Sequence, residues 1–191
     1  MSEKITLQIK NMVCSRCSLV IETALTALGL KVKYVELGEV EVVRSGVLPT
    51  LKEIEKELNR FNFQLIKSTN EVMVERVKHI LLSLMNSNQV EDINLSEHIS
   101  DKIAKNYSQI SKTFSRIEGI TIEKFFIQLK IEKASEMISY GEQNFSQIAY
   151  NLGYKTLQHL SRQFKQVTGM SMSEYKKLNE HKRGGIDKVW S

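Results

Sequence analysis

A chain of 191 residues with nine Gly, one Pro and 41% apolar residues is long enough for one or two ordinary domains with adequate cores. It has no run of about 18 apolar residues to span a bilayer, and its start, MSEKITLQIK, lacks the basic-then-apolar pattern of a secretion signal, so a cytoplasmic location is expected. The net charge is a mild +5, but residues 142–191 hold eight Lys/Arg against four Asp/Glu, so the basic excess sits where a polyanion is expected to dock.

Ile5, Leu7 and Ile9 alternate with Thr6, Gln8 and Lys10, the period of a strand with one buried face. After the loop Asn11-Met12-Val13, residues Cys17, Ile21, Ala24, Leu25 and Leu28 recur at helical spacing, and Gly29 closes the segment as a C-cap. Two strand-like runs, Lys31 to Leu37 and Glu39 to Arg44, are separated by Gly38 alone, which suits a tight hairpin. A second helix is expected from Leu48, with Pro49 in its first turn and Leu51, Ile54, Leu58 and Phe61 on one face. Phe63 and Leu65 belong to a last short strand. The order βαββαβ within residues 1–69 is the ferredoxin-like arrangement, two helices covering one face of a four-stranded sheet.

The loop MVCSRC is the most chemically pointed stretch of this half. Cys14 ends the loop and Cys17 begins the helix, so both thiols can face one point at a helix N-terminus, where the helix dipole and Arg16 favour thiolate over thiol. In a cytoplasmic chain such a pair suits metal or redox chemistry better than a structural disulfide. Two soft thiolates with no nearby His or carboxylate select Cu(I), or another soft metal ion, before Zn(II), which would need two more ligands. A thiol redox switch and a silent structural remnant stay open as alternatives. Met12 is expected to fill the core under the loop, since Met is a common gap-filler.

Residues 4–67 resemble the heavy-metal-associated domain of copper chaperones and copper-transporting ATPases. The resemblance is carried by Ile9, Met12, Cys14, Cys17, Ile21-Glu22 and Ala24-Leu25, while Asn11 and Val13 stand where that family has Gly and Thr. It implies a soft metal ion held by Cys14 and Cys17.

Residues 70–88 place Val72, Val74, Val77, Ile80, Leu81 and Leu84 along a helix with Glu75, Arg76 and Lys78 opposite. His79 on this helix is expected to be an ordinary partly buried histidine rather than a third ligand. Ser87 to Asn94 is a short polar boundary, so residues 70–94 form a connecting helix and linker.

From Leu95 the chain repeats itself. Ile99, Ser100, Ile103 and Ala104 match Ile148, Ala149, Leu152 and Gly153 at an offset of 49; beyond the turn the offset becomes 50, pairing Ile110, Phe114, Gly119, Thr121 and Phe125 with Leu160, Phe164, Gly169, Ser171 and Tyr175. Each unit reads as a short helix, a tight turn at Ala104 or Gly153, and a second helix, the layout whose second helix enters a major groove. Ile110/Phe114 and Leu160/Phe164 are spaced i, i+4 and must be core. Ser108, Ser111 and Lys112 then face outward in the first unit, and Thr156, Gln158, Ser161 and Arg162 in the second; such side chains reach base edges or phosphates. Glu123 to Gly141 is expected to be a helix that holds the two motifs apart.

This half, residues 95–178, closely resembles the DNA-binding domain of the AraC/XylS family of bacterial transcription regulators. The signature lies in Ile148-Ala149, Leu152-Gly153-Tyr154, Leu160-Ser161-Arg162, Phe164-Lys165, Thr168-Gly169-Met170 and Glu174-Tyr175. Met172 departs from the family's usual Pro, and Asn106-Tyr107-Ser108 from its Ser-Pro opening, which makes Tyr107 a further candidate contact. The resemblance implies a promoter-binding regulator, often an activator that touches RNA polymerase.

The expected architecture is α+β: a ferredoxin-like βαββαβ domain, then an all-α double helix-turn-helix domain over residues 95–180 and a basic tail over 181–191. No Ser-His-Asp set, phosphate loop or paired-carboxylate pocket is present, so the chain is not expected to be an enzyme. The expected function is sequence-specific regulation of metal-handling genes through double-stranded promoter DNA, with Cu(I) or a similar ion sensed by Cys14 and Cys17 and with no membrane partner. A redox switch or a metal-free protein-interaction module is the alternative for the N-terminal half, and a homodimer stays open.

Overall fold

The computed structural model describes residues 4–12, 15–36, 38–43, 49–86 and 93–183. Val13 and Cys14, Leu37, Arg44, Leu48, most of the polar linker and the tail from Gly184 therefore lie outside the described residues. The chain packs as two compact units: the described parts of residues 1–80 with 99–113, and of 81–98 with 114–191.

In the first unit the element order is β1 (Lys4–Lys10), α1 (Ser15–Ala27), β2 (Lys31–Glu36), β3 (Glu39–Val43), α2 (Leu51–Asn59) and β4 (Gln64–Leu65). The strands form one antiparallel sheet in the order β2-β3-β1-β4. Alternation along β1 sends Leu7 and Ile9 into a core with Ile21, Leu25, Ile54 and Leu58. On the opposite face Glu39 accepts hydrogen bonds from Gln8 Nε2 at 2.8 Å and Tyr34 Oη at 2.9 Å.

Helix α2 starts later than its apolar spacing predicts. Thr50 and Glu53 form a capping box, so Pro49 precedes the cap rather than occupying the first turn. Only Ile54 and Leu58 of the predicted face are buried; Leu51 is 63% exposed and Phe61 43% exposed. The helix ends at Asn59, Asn62 takes a left-handed φ of 62°, and the reversal puts Phe63 rather than Phe61 into the core.

Helix α3 runs from Thr69 to Asn86. Val74, Val77, Leu81 and Leu84 are buried as their spacing requires, but Glu75 is buried too, only 4% exposed. The charge is tolerated because Lys78 Nζ pairs with it at 2.9 Å, one turn along the helix. Predicted to lie opposite the apolar stripe, both residues instead flank it.

The remaining elements are α4 (Leu95–Ile103), α5 (Tyr107–Glu118), α6 (Ile122–Tyr140), α7 (Phe145–Asn151), α8 (Leu157–Thr168) and α9 (Met172–Arg183). In the second unit Ile131, Ala134, Ile138, Ile148, Leu152, Leu160, Phe164 and Met172 form one core, which also takes Met85 near the end of α3. Met172, in place of the proline that the resemblance leads one to expect, is buried there, and α9 starts instead on a Ser171–Glu174 cap. Among the described residues no helix is long and apolar enough to cross a membrane.

Candidate nucleic-acid interface

The two helix-turn-helix segments are built by the same local rules. In the second, Asn144 and Gln147 form a capping box at the start of α7. The chain then reverses at Gly153, whose φ of 68° is left-handed, and Tyr154 N–H closes the turn onto Ala149 O at 2.9 Å. Thr156 caps α8 by accepting His159 N–H, and Gly169, at φ 80°, ends it. In the first segment Asn94 accepts Glu97 N–H at the start of α4, and Ala104 makes the same reversal at φ 55°. Lys105 N–H reaches Ser100 O, Asn106 Oδ1 accepts Ser108 N–H at 2.9 Å, and Gly119, at φ 72°, ends α5.

Packing repeats as closely as capping. Phe114 meets Phe125 edge-to-face with centroids 5.6 Å apart, and Phe164 meets Tyr175 in the same way at 5.5 Å. Ile110, Phe114, Leu160 and Phe164 are all fully buried. With these inside, what each second helix leaves in solvent is fixed by its 3.6-residue period.

The eight predicted contact residues divide by what surrounds them. Ser108 and Lys112 on α5 and Gln158 and Arg162 on α8 are exposed. These pairs stand fifty residues apart and occupy equivalent positions. Tyr107 and Ser111 are half-buried. Thr156 is exposed, but its Oγ1 is already the α8 cap. Ser161 is half-buried and turns its hydroxyl to Met172 Sδ at 3.5 Å, so it also serves the packing of α9.

Other exposed side chains lie beside these and were not singled out in the sequence. Gln109 and His159 are equivalent, as are Lys105 and Lys155 just before the caps, and Arg116 and Gln166 further along the helices. Extending the same offset of fifty to every position would have found them. Tyr154 shows how the turn before α8 is held: its hydroxyl donates to Gln163 Oε1 at 2.7 Å and its ring meets His159 edge-on. The Lys130 ammonium stands 4.9 Å from the Tyr154 ring and 5.0 Å from that of Phe126. Burial pushes the Tyr154 hydroxyl up to about 12 and the Lys130 ammonium down to about 8.

At the other end of the chain, Cys17 lies in the first turn of α1, half-buried against the sheet core, with Arg16 exposed beside it. Cys14 lies outside the described residues. Met12 is buried and its Sδ accepts Gly38 N–H at 3.2 Å, which makes it a packing residue as expected. Among the described residues no group of three or more His, Cys, Asp or Glu side chains gathers as a metal cluster.

Residues 99–178 match the family model described as a helix-turn-helix domain. Among curated proteins the chain is similar to the uncharacterized HTH-type transcriptional regulator YdeC of Bacillus subtilis (strain 168), 24% identical over 117 residues that cover 61% of this chain and 40% of that protein. An uncharacterized HTH-type transcriptional regulator of Staphylococcus aureus is 26% identical over 54% of this chain and 15% of its own length. The chain thus spans less than half the length of these curated relatives. Among solved structures, the C-terminal domain of AraT, a response regulator from Geobacillus stearothermophilus, superposes with a TM-score of 0.51 at 22% identity, over 58% of this chain and 88% of that one. The DNA-binding domain of AdpA, solved in complex with a target DNA, does so with a TM-score of 0.50 at 13% identity, over 57% and 96%. Residues 99–178 thus form a helix-turn-helix domain, and the curated relatives are described as HTH-type transcriptional regulators.

Proposed function

We propose that the protein is a one-component regulator that binds double-stranded promoter DNA through α5 and α8 and responds to Cu(I), or a similar soft ion, at Cys14 and Cys17. The observation that carries the DNA half is the duplication of the second helix. Two helices fifty residues apart bury the same aromatic and aliphatic positions and expose polar, partly cationic side chains at equivalent ones. Arg162 and Lys112 suit guanine edges or phosphates, and Gln158 suits adenine. Ser108, Ser111, Ser161, Tyr107 and Thr156 flank them. RNA polymerase is the further partner if the protein activates, and a second copy if its operator is a pair of half-sites.

The metal half of the proposal draws support from four features. The element order βαββαβ and the strand order β2-β3-β1-β4 suit a ferredoxin-like domain of the heavy-metal-associated kind. Cys17 lies in the first turn of α1, and Met12, engaged by Gly38 N–H, leaves the two cysteine sulfurs as the soft donors of the loop. When bound, the ion would tie the Cys14 and Cys17 sulfurs together. The regulated genes are then those for export or handling of that metal, in the cytoplasm of the host cell.

The test is a gel-shift titration on the neighbouring promoter under reducing conditions, with and without Cu(I), beside Cys14→Ser and Cys17→Ser. Metal-dependent affinity in the native chain, lost in both variants, is the expected result. Equal affinity throughout sinks the sensing and leaves a metal-free docking module. A response to oxidant but not to Cu(I) makes the pair a redox switch. On the same DNA, Arg162→Ala should lower specific affinity by about 1–3 kcal/mol. A uniform loss on every sequence, with a shallower salt dependence, would make Arg162 a phosphate contact.

A further inference from the structure

His79 belongs to the connecting helix α3, outside the βαββαβ segment, yet its ring is built into the loop that leads to Cys14. Its Nε2 lies 3.0 Å from the backbone oxygen of Met12, two residues before that cysteine. A carbonyl oxygen only accepts, so Nε2 carries the hydrogen and donates it. Burial of the ring lowers its affinity for a second proton.

The same ring also covers the β2–β3 turn. A Cβ placed on Gly38 would stand 2.6 Å from His79 Cε1, so no side chain fits at position 38 while the ring is in place. Gly38 in turn donates its N–H to Met12 Sδ and accepts Ile9 N–H at 2.9 Å. The Met12 segment, the hairpin turn and α3 therefore meet at one imidazole. On the turn that leads to it, buried Glu75 pairs with half-buried Lys78 at 2.9 Å. The same helix, Thr69–Asn86, later contributes Met85 to the core of the second unit.

We propose that His79 is a positioning residue that ties the loop before Cys14 to α3, so that closure of the two thiolates on an ion is felt by the connecting helix. The proposal rests on the metal reading above. An ion held by the two thiolates would act on the chain two residues from the Met12 peptide, whose oxygen the His79 bond engages. Differential strength of that bond in the metal-free and metal-bound states gives metal binding leverage on α3; a bond of equal strength in both would give none.

The experiment uses the full chain as the native protein, His79→Ala and His79→Gln, the last because a glutamine amide can still donate to the Met12 oxygen. Cu(I) stoichiometry, promoter affinity with and without one equivalent of Cu(I), and amide hydrogen exchange of the metal-free proteins are measured. The native protein should change its promoter affinity by roughly 5–150-fold on loading, the usual range of such coupling. His79→Ala should still take up Cu(I) at the native stoichiometry but shift its DNA affinity by less than about two-fold, with faster exchange at Gly38 and along the middle of α3. His79→Gln should recover a substantial part of the native shift. A fold or packing defect alone would lower promoter affinity equally with and without metal and leave the ratio unchanged. A native-sized ratio in His79→Ala overturns the proposal while leaving the metal reading standing. If the native protein takes up no Cu(I), the metal reading fails by itself, and exchange then decides the contact: faster exchange in both segments upholds the tie between loop and helix, and unchanged exchange removes it.

Discussion

The two helix-turn-helix segments answer the same steric problem with different side chains. Inside, they agree closely: Phe114 on Phe125 and Phe164 on Tyr175 differ by 0.1 Å in centroid separation and 5° in interplanar angle. At the edges they diverge. The left-handed turn residue is Ala104 in one and Gly153 in the other, and the caps of the second helices are Asn106 and Thr156. On the outer faces Lys112 stands opposite Arg162, and Ser108 opposite Gln158. A buried ring has few acceptable substitutes, because every neighbour must move to admit one. An outward side chain has many. The interior of the repeat therefore records the fold, and its surface is where the two motifs differ. They also differ in company: Ile99–Thr113 belongs to the unit that contains the CxxC half, whereas all of α7 and α8 belong to the other.

The most severe way to break the equivalence is to empty its interior. Phe114→Ala and Phe164→Ala each remove a fully buried ring, and each should cost about 3–5 kcal/mol in denaturant unfolding. Similar costs at the two sites sustain the equivalence. A cost at Phe114 near 1 kcal/mol would mean that the first motif collapses around the missing ring and is the softer of the two.

Much of this was legible before the structure. Apolar spacing was enough to place α4 to α8, and the offset of fifty identified the buried pairs, because amphipathic helices carry their period in the sequence; α9 was not placed by its spacing, and His181–Arg183, assigned to the basic tail, belong to that helix. The extent of α2 was misjudged because Leu51 and Phe61 fit its apolar period; it is set by the Thr50–Glu53 cap at one end and the Asn62 reversal at the other. Glu75 was read as a solvent-facing charge, since no local pattern announces that Lys78 will pair with it out of water. His79 was judged correctly as partly buried, but its partner lies 67 residues away at Met12, a separation that no periodicity reports. Of the contact residues, Thr156 and Ser161 were chosen for outward polar side chains, and hydrogen bonds of the fold engage both.

The turns provide a gentler comparison. A non-glycine residue in the left-handed region costs about 1–2 kcal/mol, so Gly153→Ala should destabilise by about that amount, less the roughly 0.4–1 kcal/mol recovered from a stiffer unfolded chain. Ala104→Gly should change stability by a smaller amount and in the opposite sense, because strain already present at φ 55° is released. Unfolding midpoints of the two variants, measured together, check both signs. If both substitutions destabilise, Ala104 has a packing role that Gly153 lacks, and the turns are not equivalent.

The smallest effect bears most on function, because it separates a cap from a contact. Thr156 Oγ1 accepts His159 N–H at 3.2 Å and was also expected to touch DNA. Thr156→Ala should cost about 1 kcal/mol of stability, as should Asn106→Ala in the first motif, since each leaves a helix N–H without its side-chain acceptor. Thr156→Ser keeps the hydroxyl and should restore stability almost fully. If Thr156 acts only as the cap, the Ser variant also binds the promoter as the native chain does, and the Ala variant loses affinity only as far as α8 frays. A Ser variant of native stability whose specific affinity still falls would show that the threonine methyl meets a base, as thymine methyls reward apolar contact in the major groove. The second motif would then read sequence from its first residue, where the first motif presents the amide of Asn106.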